Sequence, residues 1–196
     1  MSNETISTET AELDLAVRLA RQAGDISALL HIARDAIDRL EALADTQALQ
    51  AARRIGYNAA ADAWPGWELP APPRSAAELA AGQELARRCA SLTERLDEDA
   101  LKRGNAAWLV AAFDLARGDA ASLAGFREAA GLFEGLPVMK LMAEGYAAIA
   151  AERFAPDFTA VIARLEAIGG EDATGMRDQL LVARQVFCPK KNPDGL

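Results

Sequence analysis

Three helix-sized segments of this chain carry the same small-residue core: Gly56-Tyr57-Asn58-Ala59-Ala60, Gly104-Asn105-Ala106-Ala107 and Gly145-Tyr146-Ala147-Ala148. The glycines stand 48 and 41 residues apart, and a Pro-rich stretch inside the first interval accounts for its extra length. Self-similarity at about 40 residues is the mark of stacked helical hairpins. A mid-helix Gly costs about 1 kcal/mol relative to Ala. Three at matching places imply a common reason, and close approach of helices is the plainest one.

The apolar pattern predicts nine helices and no strand. The first covers 11–23, after a polar start at 1–10 that is expected to be disordered. The second, 26–44, places Ile26, Leu29, Leu30, Ala33, Ile37, Leu40 and Leu43 at i, i+3, i+4 spacing, behind Asp25 as N-cap. The third covers 46–64 behind Asp45. Pro65-Gly66-Trp67-Glu68-Leu69-Pro70-Ala71-Pro72-Pro73 then breaks the pattern, because proline lacks the N–H a helix or strand needs. Ser75-Ala76-Ala77-Glu78 is a capping box for the fourth helix, with Leu79, Leu85, Cys89, Leu92 and Leu96 down one side. Asp97-Glu98-Asp99 opens the fifth, which carries Leu101, Gly104, Trp108, Ala111 and Leu115 and stops at Arg117-Gly118.

Asp119 caps the sixth helix. Pro137 and Pro156 suit the first turns of the seventh and eighth. The seventh is expected to bury residues from Val138 to Phe154, and Gly169-Gly170 to end the eighth. The ninth covers 172–187 and stops at Pro189, leaving 189–196 as a flexible tail. Short connections make successive helices antiparallel, in pairs 1/2, 3/4, 5/6 and 7/8 with the ninth as a cap. One helical domain, 11–188, follows.

The fifth and sixth helices resemble a tetratricopeptide repeat. Trp108-x2-Ala111-Ala112-x2-Leu115 is similar to the first-helix pattern of that family, and Ser122-x3-Phe126-x2-Ala129 to its second. The resemblance covers about 30 residues closely and 45–168 in outline. It implies a right-handed α-solenoid of helix hairpins whose groove holds a peptide or partner protein, with no catalysis.

The net charge of −8 and the absence of a basic stripe argue against nucleic acid and anionic membranes. No apolar run of about 18 residues predicts a membrane span. No leader is visible at the start, and two cysteines 99 residues apart form no disulfide framework, so cytoplasm is the expected compartment. A single histidine, His31, leaves no metal-site spacing, and no glycine motif suits a nucleotide, so no cofactor and no metal are expected. His31 and Asp35 read as a helical surface pair.

Tyr57, Asn58, Asn105 and Tyr146 would align along the third, fifth and seventh helices, with Trp108 beside them. They line either a peptide groove or the seams between repeats. Arg53, Arg54, Lys102 and Arg103 lie one turn earlier, as charge anchors for an acidic segment or as solvated residues. Trp64 and Trp67 bracket a turn, either as an aromatic lip over a groove or as a plug that ties the long loop down. Two alternatives to an interaction module stand: self-assembly through the apolar first and ninth helices, and more remotely an enzyme or small-molecule sensor.

Overall fold

A computed structural model of the chain describes residues 3–151 and 157–188. The described chain is all-helical: α1 Asn3–Ala23, α2 Ile26–Ala42, α3 Thr46–Ala63, α4 Ala76–Arg95, α5 Ala100–Ala116, α6 Ala121–Leu132, α7 Pro137–Ala150, α8 Asp157–Ile168 and α9 Gly170–Phe187. A 3-10 turn, Pro65–Trp67, follows α3, and no strand occurs among the described residues.

Helices α2 to α5 are capped by the side chains expected, whereas α6 starts behind Ala120 with no side-chain cap and Asp119 Oδ1 accepts from the Ala121 amide (2.9 Å). Asp25 accepts from the Ala28 amide (2.9 Å), Asp45 from those of Gln47 (2.8 Å) and Ala48 (3.1 Å), and Asp99 from that of Lys102 (2.9 Å). Ser75 and Glu78 close a reciprocal capping box at the start of α4. Gly24 and Gly118 end α1 and α5 in the left-handed region, at φ +73° and +72°.

Four other expectations change. Helix α1 begins at Asn3 rather than at 11, because residues 3–10 hold no Gly or Pro to stop it. Helix α2 ends at Ala42, since Ala44 turns left-handed at φ +53° where no glycine was available to signal the stop. Helix α9 begins at Gly170, so only Gly169 separates it from α8. Leu101, expected on the packed side of α5, projects to solvent from its first turn and is 42% exposed. Phe154, Pro156, Pro189 and the tail lie outside the described residues.

Consecutive helices pack against one another, and connections of one to four residues at most junctions turn each back on its predecessor. Second neighbours also touch at α1–α3, α2–α4, α3–α5 and α7–α9. Helix α9 packs on α7 and α8 as a cap would, and it also reaches the 3-10 turn after α3.

The repeated glycines are sockets. Gly56 faces Ile37 of α2, where a Cβ would stand 3.2 Å from Cδ1. A Cβ at Gly104 would overlap the buried Phe133 ring, and one at Gly145 would lie 2.6 Å from Leu180 Cδ1 of α9. Gly82 takes the Phe113 ring in the same way. Each missing methyl admits a large side chain from the neighbouring segment, which gives an alanine-rich core the bulky contacts it otherwise lacks.

Gly104→Ala is expected to lower stability by about 1–2 kcal/mol, because an overpacking cost of about 1–3 kcal/mol exceeds the gain of up to about 1 kcal/mol in helix propensity. Gly131→Ala, where a Cβ meets open space, is expected to raise it by about 0.5–1 kcal/mol. Urea denaturation of the two variants reads both signs.

Candidate functional site

The chain leaves α3 at Trp64 in extended backbone (φ −71°, ψ 132°), and Pro65 starts the 3-10 turn. The turn folds over the Trp64 ring so closely that a Cβ at Gly66 would overlap it. Only glycine fits there. Trp64 is fully buried, and its Nε1 donates to the Ala112 carbonyl of α5 (2.9 Å). Around its ring stand Trp67 at 4.9 Å, Trp108 at 5.4 Å and Tyr146 at 5.7 Å, all edge-on, and Phe187 stacked at 5.6 Å. Trp108 meets Tyr146 edge-on at 5.2 Å, and Tyr146 stacks on Phe126 of α6.

Most polar atoms of this cluster are answered inside the chain. Gln179 of α9 donates to the Tyr146 hydroxyl (3.0 Å), while burial pushes the phenol far above its ordinary range. Trp108 Nε1 is buried with no acceptor. Its ring stands at 73° to both Trp64 and Tyr146, the arrangement in which a ring edge meets a π face.

Trp67 differs from the other rings. Its Nε1 donates to the Ala61 carbonyl (2.6 Å) and its ring lies against Trp64 and Trp108, yet it remains 40% exposed. Leu69, two residues on, is 47% exposed. Arg74 closes the loop by donating from Nε to the Ala63 carbonyl (3.0 Å). The two tryptophans therefore divide the expected roles: Trp64 is the plug, and Trp67 presents a fixed apolar face at the surface.

Four of the nine expected site residues come together here: Trp64, Trp67, Trp108 and Tyr146. Three of them are core, so the row along α3, α5 and α7 is not an open groove at these positions. Tyr57 is half-buried beside Cys89, Asn58 is exposed and Asn105 is half-buried. The basic patch is largely neutralised. Arg53 lies 3.1 Å from Glu98, which also holds Lys102 at 2.6 Å, and Arg54 pairs with Asp14 of α1. Asp99 caps α5 while Glu98 serves these cations, so the acidic triplet is split between two tasks.

Phe126, Phe187 and Gln179 belong to the cluster but were not expected at a site. No local pattern in the sequence marks these three, because Phe126 joins the cluster from α6, and Phe187 and Gln179 join it from α9.

The alanines of the repeat have a second use. A cleft of about 360 Å³ between α4 and α6 is lined from α5 by Arg103, Ala106, Ala107 and Val110. A cleft of about 200 Å³ beside α6 and α8 is lined by Glu144, Ala147 and Ala148 of α7 and by Ala151, which follows it. The two sets correspond residue for residue at an offset of 41.

Among the described residues, no three His, Cys, Asp or Glu side chains are placed to hold a metal, and no helix is long and apolar enough to cross a membrane. Compared with protein-family models, with curated proteins and with solved structures, the chain matches none.

Cys89 is buried, and that burial pushes its thiol from an ordinary 9.0 up to about 11. Burial raises Tyr57 as well, helped by the nearby Cys89. A raised acid keeps its proton longer in the folded chain than in the unfolded one. The contribution of these two groups is therefore expected to be level from neutral pH to about 9 and to fall as pH rises from about 9 to 11. Urea midpoints between pH 7 and about 10.5 measure this, and Cys89→Ala is expected to flatten the decline above pH 9.

Proposed function

We propose that this chain is a protein-interaction module of the tetratricopeptide-like kind, a right-handed stack of helical hairpins that engages a segment of a partner protein. The exposed Trp67 ring, on its aromatic base, carries the reading. Binding energy at protein interfaces concentrates in a few rigid aromatic anchors surrounded by near-neutral contacts. Trp67 has its indole N–H satisfied internally, so docking on its outer face leaves no polar atom unpaired. Leu69 extends that apolar surface, and exposed Asn58 lies on the same α3 that leads into the turn. The equivalent alanine clefts along α5 and α7 support the repeat itself. No chemical step is assigned to the module.

A photo-crosslinking amino acid at position 69 identifies the partner. Trp67→Ala is then expected to weaken its Kd by about thirtyfold, the equivalent of an anchor worth about 2 kcal/mol, while the fold stays intact by circular dichroism. An unchanged Kd removes Trp67 from the interface. Trp64→Ala serves as the contrast: it is expected to cost about 3–5 kcal/mol of stability, as loss of a buried aromatic does.

Helix α1 favours a second reading. Leu15 and Leu19 stand one turn apart on its outer side, 50% and 56% exposed. Such a pair at the end of a stack suits self-association. Light scattering is expected to show a dimer that Leu15→Lys/Leu19→Lys converts to a monomer; a monomeric parent chain at micromolar concentration ends this reading.

A further inference from the structure

Helices α2 and α4 lie side by side and run parallel, as second neighbours in an antiparallel series do. Polar rungs join them at both ends of their contact. At one end the Ser27 hydroxyl donates to Glu78 Oε1 (3.1 Å). At the other, Arg88 bridges Asp38 (2.6 Å) and Glu41, and Arg95 also reaches Glu41 (2.7 Å). Between them comes Arg34 of α2 and Glu84 of α4. Arg34 is seven residues beyond Ser27 and Glu84 six beyond Glu78. At 1.5 Å per residue both stand about 10 Å along the contact, at nearly the same height.

This middle rung is open. Arg34 and Glu84 carry opposite charges on opposite walls, yet no ion pair joins them, and Glu84 has no ion-pair partner among the described residues. A cleft of about 180 Å³ lies there, with Leu30, Ala81 and Leu85 among its lining. Arg34 is held from within its own helix: its guanidinium lies 3.2 Å from Nδ1 of His31, which also lines the cleft, and His31 Nε2 lies 3.4 Å from Asp35. In that arrangement Nδ1 accepts from Arg34 and Nε2 carries the hydrogen that faces Asp35.

We propose that the cleft between α2 and α4 binds a small zwitterion of the α-amino-acid class. Its carboxylate pairs with the Arg34 guanidinium, whose fork matches two carboxylate oxygens. Its ammonium pairs with Glu84, and a short aliphatic side chain rests on Leu30, Ala81 and Leu85. The size fits a single amino acid, because sites for drug-sized ligands run to about 300–1,000 Å³. A ligand with one charge leaves the other wall unanswered, whereas a zwitterion completes the ladder that the flanking rungs begin. Both charged groups are exposed, so the affinity is of the millimolar order, a Kd of about 1 mM. This site is independent of Trp67 and of any protein partner.

Titration of the labelled chain with L-leucine, followed by NMR at Arg34 Nε–H and the Ala77 and Ala81 amides, tests the assignment. Leucine is expected to give saturable shifts. 4-Methylpentanoate lacks its ammonium and 3-methylbutylamine its carboxylate, and each is expected to bind at least about tenfold more weakly. Arg34→Gln and Glu84→Gln, both at exposed positions, are each expected to weaken leucine binding by a similar factor with the circular dichroism spectrum unchanged. The proposal is overturned if glycine, alanine, valine and leucine all fail to produce saturable shifts at about 20 mM. Either single-charge analogue binding as tightly as leucine overturns it too, as do shifts that persist in Arg34→Gln/Glu84→Gln.

Discussion

One indole joins α3, α5, α7 and α9. Trp64 ends α3, donates to a carbonyl of α5, meets Trp108 of α5 and Tyr146 of α7 edge-on, and stacks on Phe187 at the end of α9. Alanine dominates the rest of the buried surface, and each alanine contact buries little area. The few large rings therefore supply a disproportionate share of the apolar burial, and most of them meet at this point. Because α9 reaches across to the turn after α3, the cluster joins distant parts of the chain as well as neighbours along it.

That arrangement reassigns the surfaces. The side on which α3, α5, α7 and α9 face one another is occupied by the chain's own aromatics, with Trp67 left at the edge. The clefts lie between even-numbered helices: the alanine clefts beside α6 and the charged cleft between α2 and α4. The anchor proposed at Trp67 and the ligand cleft proposed between α2 and α4 share no residue.

Local chemistry was readable from the chain, and long-range convergence was not. Asp25, Asp45, Ser75 with Glu78, and Asp99 announce their helices because a cap acts within three residues of itself. The glycine spacing pointed to tight contacts, and Gly56, Gly104 and Gly145 make them. Ala44 hid the end of α2, since nothing in an alanine advertises a left-handed turn. Trp64, Trp108, Tyr146 and Phe187 are separated by about forty residues each, so no periodicity within one helix links them. Aligning them by the repeat made them look like a lined groove. Burial, which only packing decides, makes them a core. Arg53 shows the same limit: its place one turn before a repeated glycine suggested a charge anchor, but its partner, Glu98, lies beyond the next helix.

The glycine sockets carry an evolutionary consequence. Phe133 occupies the volume that a side chain at Gly104 would need, as Phe113 does at Gly82 and Leu180 at Gly145. Each pair is a single volume shared between two positions far apart in the chain. A lineage that enlarges one member keeps the fold only by shrinking the other, so these positions should drift as couples, with alanine or serine entering at 104 where leucine or valine has replaced the ring at 133.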